Sequence, residues 1–169
     1  MNRISDINTR VIEFWRAAGK KNWFAKSDSF DAKIKTNFLA DVEYLADIDL
    51  VTHFKGIKNA MDVLGIIICL DQFRRNLYRN SAKAFEQDAK ALGLAKLIQT
   101  NGLDDTLDED IRTFAYMPYM HCEQLVDQET SLKLFDNSNY AVIHYDLIIF
   151  RVQFPAPWGV ECSHEQIYS

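Results

Sequence analysis

The stretch Val63-Leu-Gly-Ile-Ile-Ile-Cys-Leu-Asp-Gln-Phe-Arg-Arg75 decides how this chain is read. Val63 to Leu70 is its longest apolar run, and a dense polar cluster follows without a break. The run falls far short of the ~20 residues a membrane-spanning helix needs, so it reads as a buried helix and no membrane association is expected. Between Gly56 and Arg75, Ile57, Met61, Leu64, Ile67, Ile68 and Phe73 recur at helical intervals. The middle is apolar nearly all round, as in a central helix covered on several sides. The rest of the chain must supply that cover.

Working outward, the spacing predicts a helix from Ser5 to Ala18 with Gly19 as its stop. A second helix is opened by Asp28 or Ser29 and carries Phe30, Ile34, Phe38, Val42 and Leu45 on one face. Ser81 to Gln99 gives another, stopped by Asn101-Gly102. Thr106-Leu-Asp-Glu109 reads as a capping box opening a helix through Phe114 and Tyr116. Pro118 then predicts a kink or a break, because it cannot donate to the helical ladder. Further helices are expected over His121 to Phe135 and Tyr140 to Arg151, with one strand between Val142 and Phe154 as the minor alternative to the latter. The fold class is therefore all-α, an antiparallel helical-hairpin array of about seven helices. Residues 1–155 form a single domain in this reading and 156–169 an irregular tail.

Composition bounds the function. The chain has 169 residues, 48% hydrophobic and 25% charged, so disorder and disulfide-scaffold classes are excluded. Its net charge of −5 argues against a nucleic-acid binder, which needs basic residues to meet phosphates. The charge is polarised: residues 1–100 carry +4 and residues 101–169 carry −9. Arg74 to Lys83 holds the densest basic patch, and we expect the acidic capping-box helix and Glu123 to Glu129 to pack as its complement. Three widely spaced cysteines and no apolar leader at the start suggest a reducing cytoplasm.

Two polar clusters are candidates for chemistry. In Asp71-Gln-Phe-Arg-Arg-Asn76, Asp71 and Arg75 stand at i and i+4, the order that favours a salt bridge, and Gln72 and Asn76 form the neighbouring row. Such a cluster either ends the helix and pins the next loop, or builds a carboxylate or anion site on Arg75 and Arg79. In the second cluster, His121 is the best acid/base candidate because its ordinary pKa of about 6.5 lies nearest neutrality. Its neighbour Glu123 is two residues away, the wrong spacing for a shared metal ion, and neither a metal nor a cofactor is expected. No phosphate loop, nucleophile elbow or dinucleotide fingerprint is present.

Several motifs in order carry a family resemblance: Val11-Ile-Glu-Phe-Trp15, Leu70-Asp-Gln-Phe-x-Arg-Asn-Leu-Tyr-Arg79, Ala84-Phe85 with Asp88-Ala-Lys-Ala-Leu92, and Tyr116-Met-Pro-Tyr-Met-His-x-Glu123 followed by Asp127-Gln-Glu129. On these residues the chain resembles the bacterial family known as domain of unknown function 924, over residues 9–155. The resemblance implies an all-α fold similar to tetratricopeptide-repeat proteins and no established reaction. Two departures stand out. Arg74 occupies a position where the family usually has Pro, and after Phe154-Pro155 the chain has Ala156-Pro-Trp158 where the family has His-Arg-Asn.

Two functions follow as expectations. The first is a cytoplasmic helical module that binds a protein or peptide in a groove between helices. The second is a small-molecule enzyme or sensor, with a small anionic ligand among its candidates, whose pocket gathers Asp71, Gln72, Arg75, Asn76, Arg79, His121 and Glu123. The second requires the 71–76 cluster to lie within about 12 Å of His121.

Overall fold

In the computed structural model, residues 2–136 are described, and every structural statement below concerns them. The expected helix at Tyr140 to Arg151, the altered C-terminal motif and the tail at 156–169 lie outside that range.

The core rod comprises α4 (Met61–Ile68), a π-turn (Cys69–Phe73) and α5 (Arg74–Leu77). Val63, Leu64, Ile66, Ile67, Ile68, Cys69, Leu70 and Phe73 are completely buried, as the apolar run requires. Its neighbours are α1 (Arg3–Trp23), α2 (Asp28–Ala46), the single-turn α3 (Leu50–His53), α6 (Asp88–Thr100), α7 (Glu109–His121) and α8 (Leu125–Asp136). With the core rod counted once, the described residues hold seven helical segments in an all-α fold, as the sequence predicts. α4 lies under α1, α6 and α7, while α2 covers the π-turn and α5.

Close approach explains the tight α1–α4 packing. A Cβ at Gly65 would stand 2.4 Å from the backbone oxygen of Asn8, so only glycine fits there. The buried Asn8 amide uses that proximity: its Nδ2 donates to the Met61 carbonyl at 2.8 Å and its Oδ1 accepts from Gly65 N at 2.8 Å. Aromatic rings close the other side, with Trp15 edge-on to Phe73 at 5.6 Å and to Phe114 at 5.3 Å. Rings of this size dominate core energetics through the area they remove from water.

Helix ends depart most from the sequence reading. Gly19 has φ +68° as a stop residue should, yet the helix turns there and resumes to Trp23, whose indole donates to the Trp15 carbonyl at 2.7 Å. Ser27, one residue before the expected caps, receives the Phe30 amide and opens α2. Ser81 caps only a 3₁₀ turn (Ala82–Ala84), and α6 begins at Asp88. At its far end Gly102, with φ +61°, completes a Schellman closure: Gly102 N bonds Gln99 O and Leu103 N bonds Ile98 O. The Thr106 capping box does not form. Thr106 belongs to a 3₁₀ turn (Asp104–Thr106) and donates to the Leu103 carbonyl, so Asp108 takes the N-cap position of α7. Pro118 sits inside α7, and the break falls instead at residues 122–124.

Among the described residues, no helix is long and apolar enough to cross a membrane.

Candidate functional site

The π-turn places Asp71 at the heart of a polar network whose members are far apart in sequence. Asp71 is 1% exposed. Its Oδ1 contacts His121 Nδ1 at 2.6 Å and accepts from Arg75 Nη1 at 3.0 Å, while Oδ2 accepts from Gln72 Nε2 at 2.5 Å. Gln72 is held in turn by the Met117 sulfur at 3.1 Å. His121 closes α7 and contributes a side chain 10% exposed. The nearness of the 71–76 cluster to His121 that the small-molecule expectation requires is met by direct contact across 50 residues.

Arg75 joins this pair to a second carboxylate. Its Nη1 and Nη2 donate to Asp88 Oδ1 and Oδ2 at 2.9 and 2.7 Å, and Nη1 also donates to the Asp71 carbonyl at 2.8 Å. The i,i+4 bridge read from the sequence is thus one arm of a fork, the stronger arm being on α6. Asp88 opens α6 and lies outside the candidate set drawn from the sequence; only its place in a shared motif marked it.

Electrostatics follow from the packing. Burial alone would raise the Asp71 carboxyl, but the charges of Arg75 and His121, with the hydrogen bonds of His121 and Gln72, outweigh it and hold it well below the usual range. For Asp88 burial prevails and its carboxyl is raised despite the Arg75 fork, with the Asp71 charge adding to the rise. Arg75 is itself desolvated, yet Asp71 and Asp88 keep its guanidinium firmly charged.

The remaining candidates serve other contacts. Asn76 donates to Asp31 Oδ1 at 2.7 Å and Arg79 donates to both Asp31 oxygens, which ties the end of α5 to the first turn of α2. Arg75 and Arg79 both spend their guanidinium groups on carboxylates of the chain, so the anion clamp drawn from the sequence has no uncommitted fork. Glu123 is exposed in the connection after α7 and takes no part in the network. The reason is that α7 ends at His121 and Cys122 is extended, so the helical face expected to carry His121 onward is interrupted.

The rest of the basic patch is also internally matched. Arg74, 1% exposed, donates to Glu86 and to the Lys83 carbonyl, and Lys83 pairs with Glu43 at 3.2 Å, the carboxylate to which Tyr78 also donates. These partners come from residues 31–88, not from the acidic segments expected. Asp108 and Asp110 of the α7 start instead meet Arg16 and Lys20 of α1, each at 2.7 Å, and Asp127 of α8 meets Lys96 of α6 at 2.8 Å. Charge complementarity inside the chain is real, but its pairing differs from the sequence expectation. Among the described residues no cluster of His, Cys, Asp and Glu has the arrangement of a metal site.

Comparison with known proteins adds kinship. The profile of a family described as "Bacterial protein of unknown function (DUF924)" matches residues 11–152. A solved structure of a protein of unknown function from Agrobacterium tumefaciens is similar, with a TM-score of 0.77 and 25% identity over 88% of this chain and 84% of that one. No curated protein matches the sequence.

Proposed function

From the premise that the chain belongs to the DUF924 family of bacterial proteins, whose description assigns no reaction, we propose a small-molecule enzyme in which His121 transfers a proton and Asp71 orients it. The observation that carries this reading is the 2.6 Å contact between His121 Nδ1 and the buried Asp71 carboxylate. An acceptor there selects the tautomer with its proton on Nδ1, and the basic lone pair then belongs to Nε2, the nitrogen that would exchange a proton with a substrate. Gln72 and Arg75 keep the carboxylate ionised and in place, which is what an orienting acid requires. The substrate class is a small polar molecule, and we place the protein in the cytoplasm on the sequence grounds given above.

A panel of metabolites, screened for a rise in melting temperature and then for turnover, tests the proposal. We expect at least one compound to stabilise the wild type and be converted, His121→Asn to abolish conversion, and Asp71→Asn to slow it by about 10²-fold or more. Conversion that survives both substitutions, or a panel without a single stabilising compound, overturns it.

A second reading has one observation in its favour. Leu125 and Val126, in the first turn of α8, are 68% and 59% exposed, which suits the peptide- or protein-binding module that a tetratricopeptide-like array implies. Capture of a defined peptide that is lost in Leu125→Ser, with no metabolite response, supports it over the enzyme.

A further inference from the structure

We propose that Asp88 is a positioning residue for the Asp71–His121 pair, acting through Arg75 by keeping its guanidinium from taking the Asp71 carboxylate for itself. The inference rests on the proton-transfer reading above and deepens it.

Arg75 sits between two acids, Asp71 on the π-turn and Asp88 on α6. A guanidinium next to a single carboxylate settles into a two-bond fork over both oxygens. Here that fork is turned toward Asp88, through Nη1 and Nη2, and Asp71 receives only the shared Nη1. Asp71 Oδ1 therefore stays on His121 and Oδ2 on Gln72. If Asp88 were neutral, Nη2 would lose its strongest acceptor and the freed fork would turn to the nearest remaining carboxylate. That carboxylate is Asp71, at the far side of the same Nη1. The turn would draw Asp71 away from the imidazole and from Gln72. Burial favours this outcome over escape to water, since the Arg75 side chain is only 18% exposed and the Asp71 side chain 1%.

Asp71 and Asp88 both interact electrostatically with His121, and Arg75 bridges the two carboxylates. Asp88 thus acts on His121 in two separable ways: a direct charge effect, independent of Arg75, and a positioning effect that exists only while Arg75 is present.

The experiment is an NMR titration of the imidazole nitrogens in full-length protein with labelled histidine, the His121 signals being assigned by their absence in His121→Asn. Asp88→Asn is compared with wild type, and Asp88→Asn in an Arg75→Gln background is compared with Arg75→Gln alone. Thermal unfolding confirms that each variant is folded; the double variant places two neutral amides where the ion pair stood. We expect Asp88→Asn to lower the His121 midpoint by about half a pH unit or more when Arg75 is present, with a loss of Nδ1–H tautomer, and by less than half as much in the Arg75→Gln background. Equal shifts in the two backgrounds would mean a direct charge effect only and overturn the proposal, as would no shift in either. The titration needs no substrate, so a failed metabolite screen would remove the enzymatic reading while leaving this result to stand or fall by itself.

Discussion

Asp71 and Asp88 share one arginine and are driven in opposite directions, so their removal has different consequences. Asp71→Asn takes the charge from the middle of the network and leaves Arg75 and His121 facing an amide in a dry site. Breaking a buried pair of this kind costs about 3–5 kcal/mol, and we expect a loss near the lower figure in urea-induced unfolding. Asp88→Asn removes a carboxylate that burial already disfavours, and we expect it to cost no more than about 1–2 kcal/mol. The pH dependence has a defined sign. Asp71 has a folded-state pKa below its unfolded value of about 3.9, so its stabilisation is complete above that value and disappears as pH falls toward the lowered one. The acid limb of the wild-type stability curve should therefore be steeper than that of Asp71→Asn. Asp88, whose carboxyl is raised, opposes this slightly by gaining a proton in the folded chain first.

At the scale of helices, contact geometry decides which glycines are replaceable. Gly65→Ala would put a methyl group against the backbone of Asn8, which cannot give way without moving α1 off α4. A loss of about 1–3 kcal/mol is expected, outweighing the ~1 kcal/mol that alanine gains in helix propensity. Gly93→Ala meets only the end of the Val51 side chain, at 2.9 Å, so its stability should stay within about 1 kcal/mol of wild type. Calorimetry of the two variants side by side checks the contrast. Helix caps give a second comparison: Ser27→Ala should lose about 1 kcal/mol because it removes the acceptor for Phe30 N, whereas Thr106→Ala should lose less because that hydroxyl caps no helix. The apolar periods of α1, α2 and α4 were plain in the sequence because each face is repeated over several turns. The ends were less so. A cap is decided by one hydrogen bond, and Ser27, Asp28 and Ser29 offer it with nearly equal chemistry. The π-turn leaves no sequence signature at all, and neither does the contact between Asp71 and His121, which depends on how two distant rods cross.

Over the whole molecule, the polarised charge of the sequence becomes two kinds of contact with different responses to salt. The pairs between α1 and the start of α7, Arg16 with Asp108 and Lys20 with Asp110, are about half exposed or more on each side. Added salt should weaken them, while the Asp71, Arg75 and Asp88 network, closed to solvent, should respond little. Melting temperatures measured across a range of sodium chloride concentrations should therefore fall modestly in wild type and hardly at all in Arg16→Gln/Lys20→Gln. An equal salt response in both would place the sensitivity elsewhere. The sequence revealed the imbalance of charge but not its pairing, because net charge per segment says nothing of which helices become neighbours.

The π-turn has one last consequence. In a regular helix each residue advances the side chain by about 100°, so one rod offers its neighbours a single continuous stripe. The wider turn at Cys69–Phe73 changes the angular phase of everything after it. The first segment can then aim its stripe at α1 while the turn itself aims Asp71 at α7 and the second segment aims Arg75 at α6. Two incompatible orientations are thereby reconciled on one axis, and deleting a single residue from this turn would set the hydrophobic and ionic halves of the rod against each other.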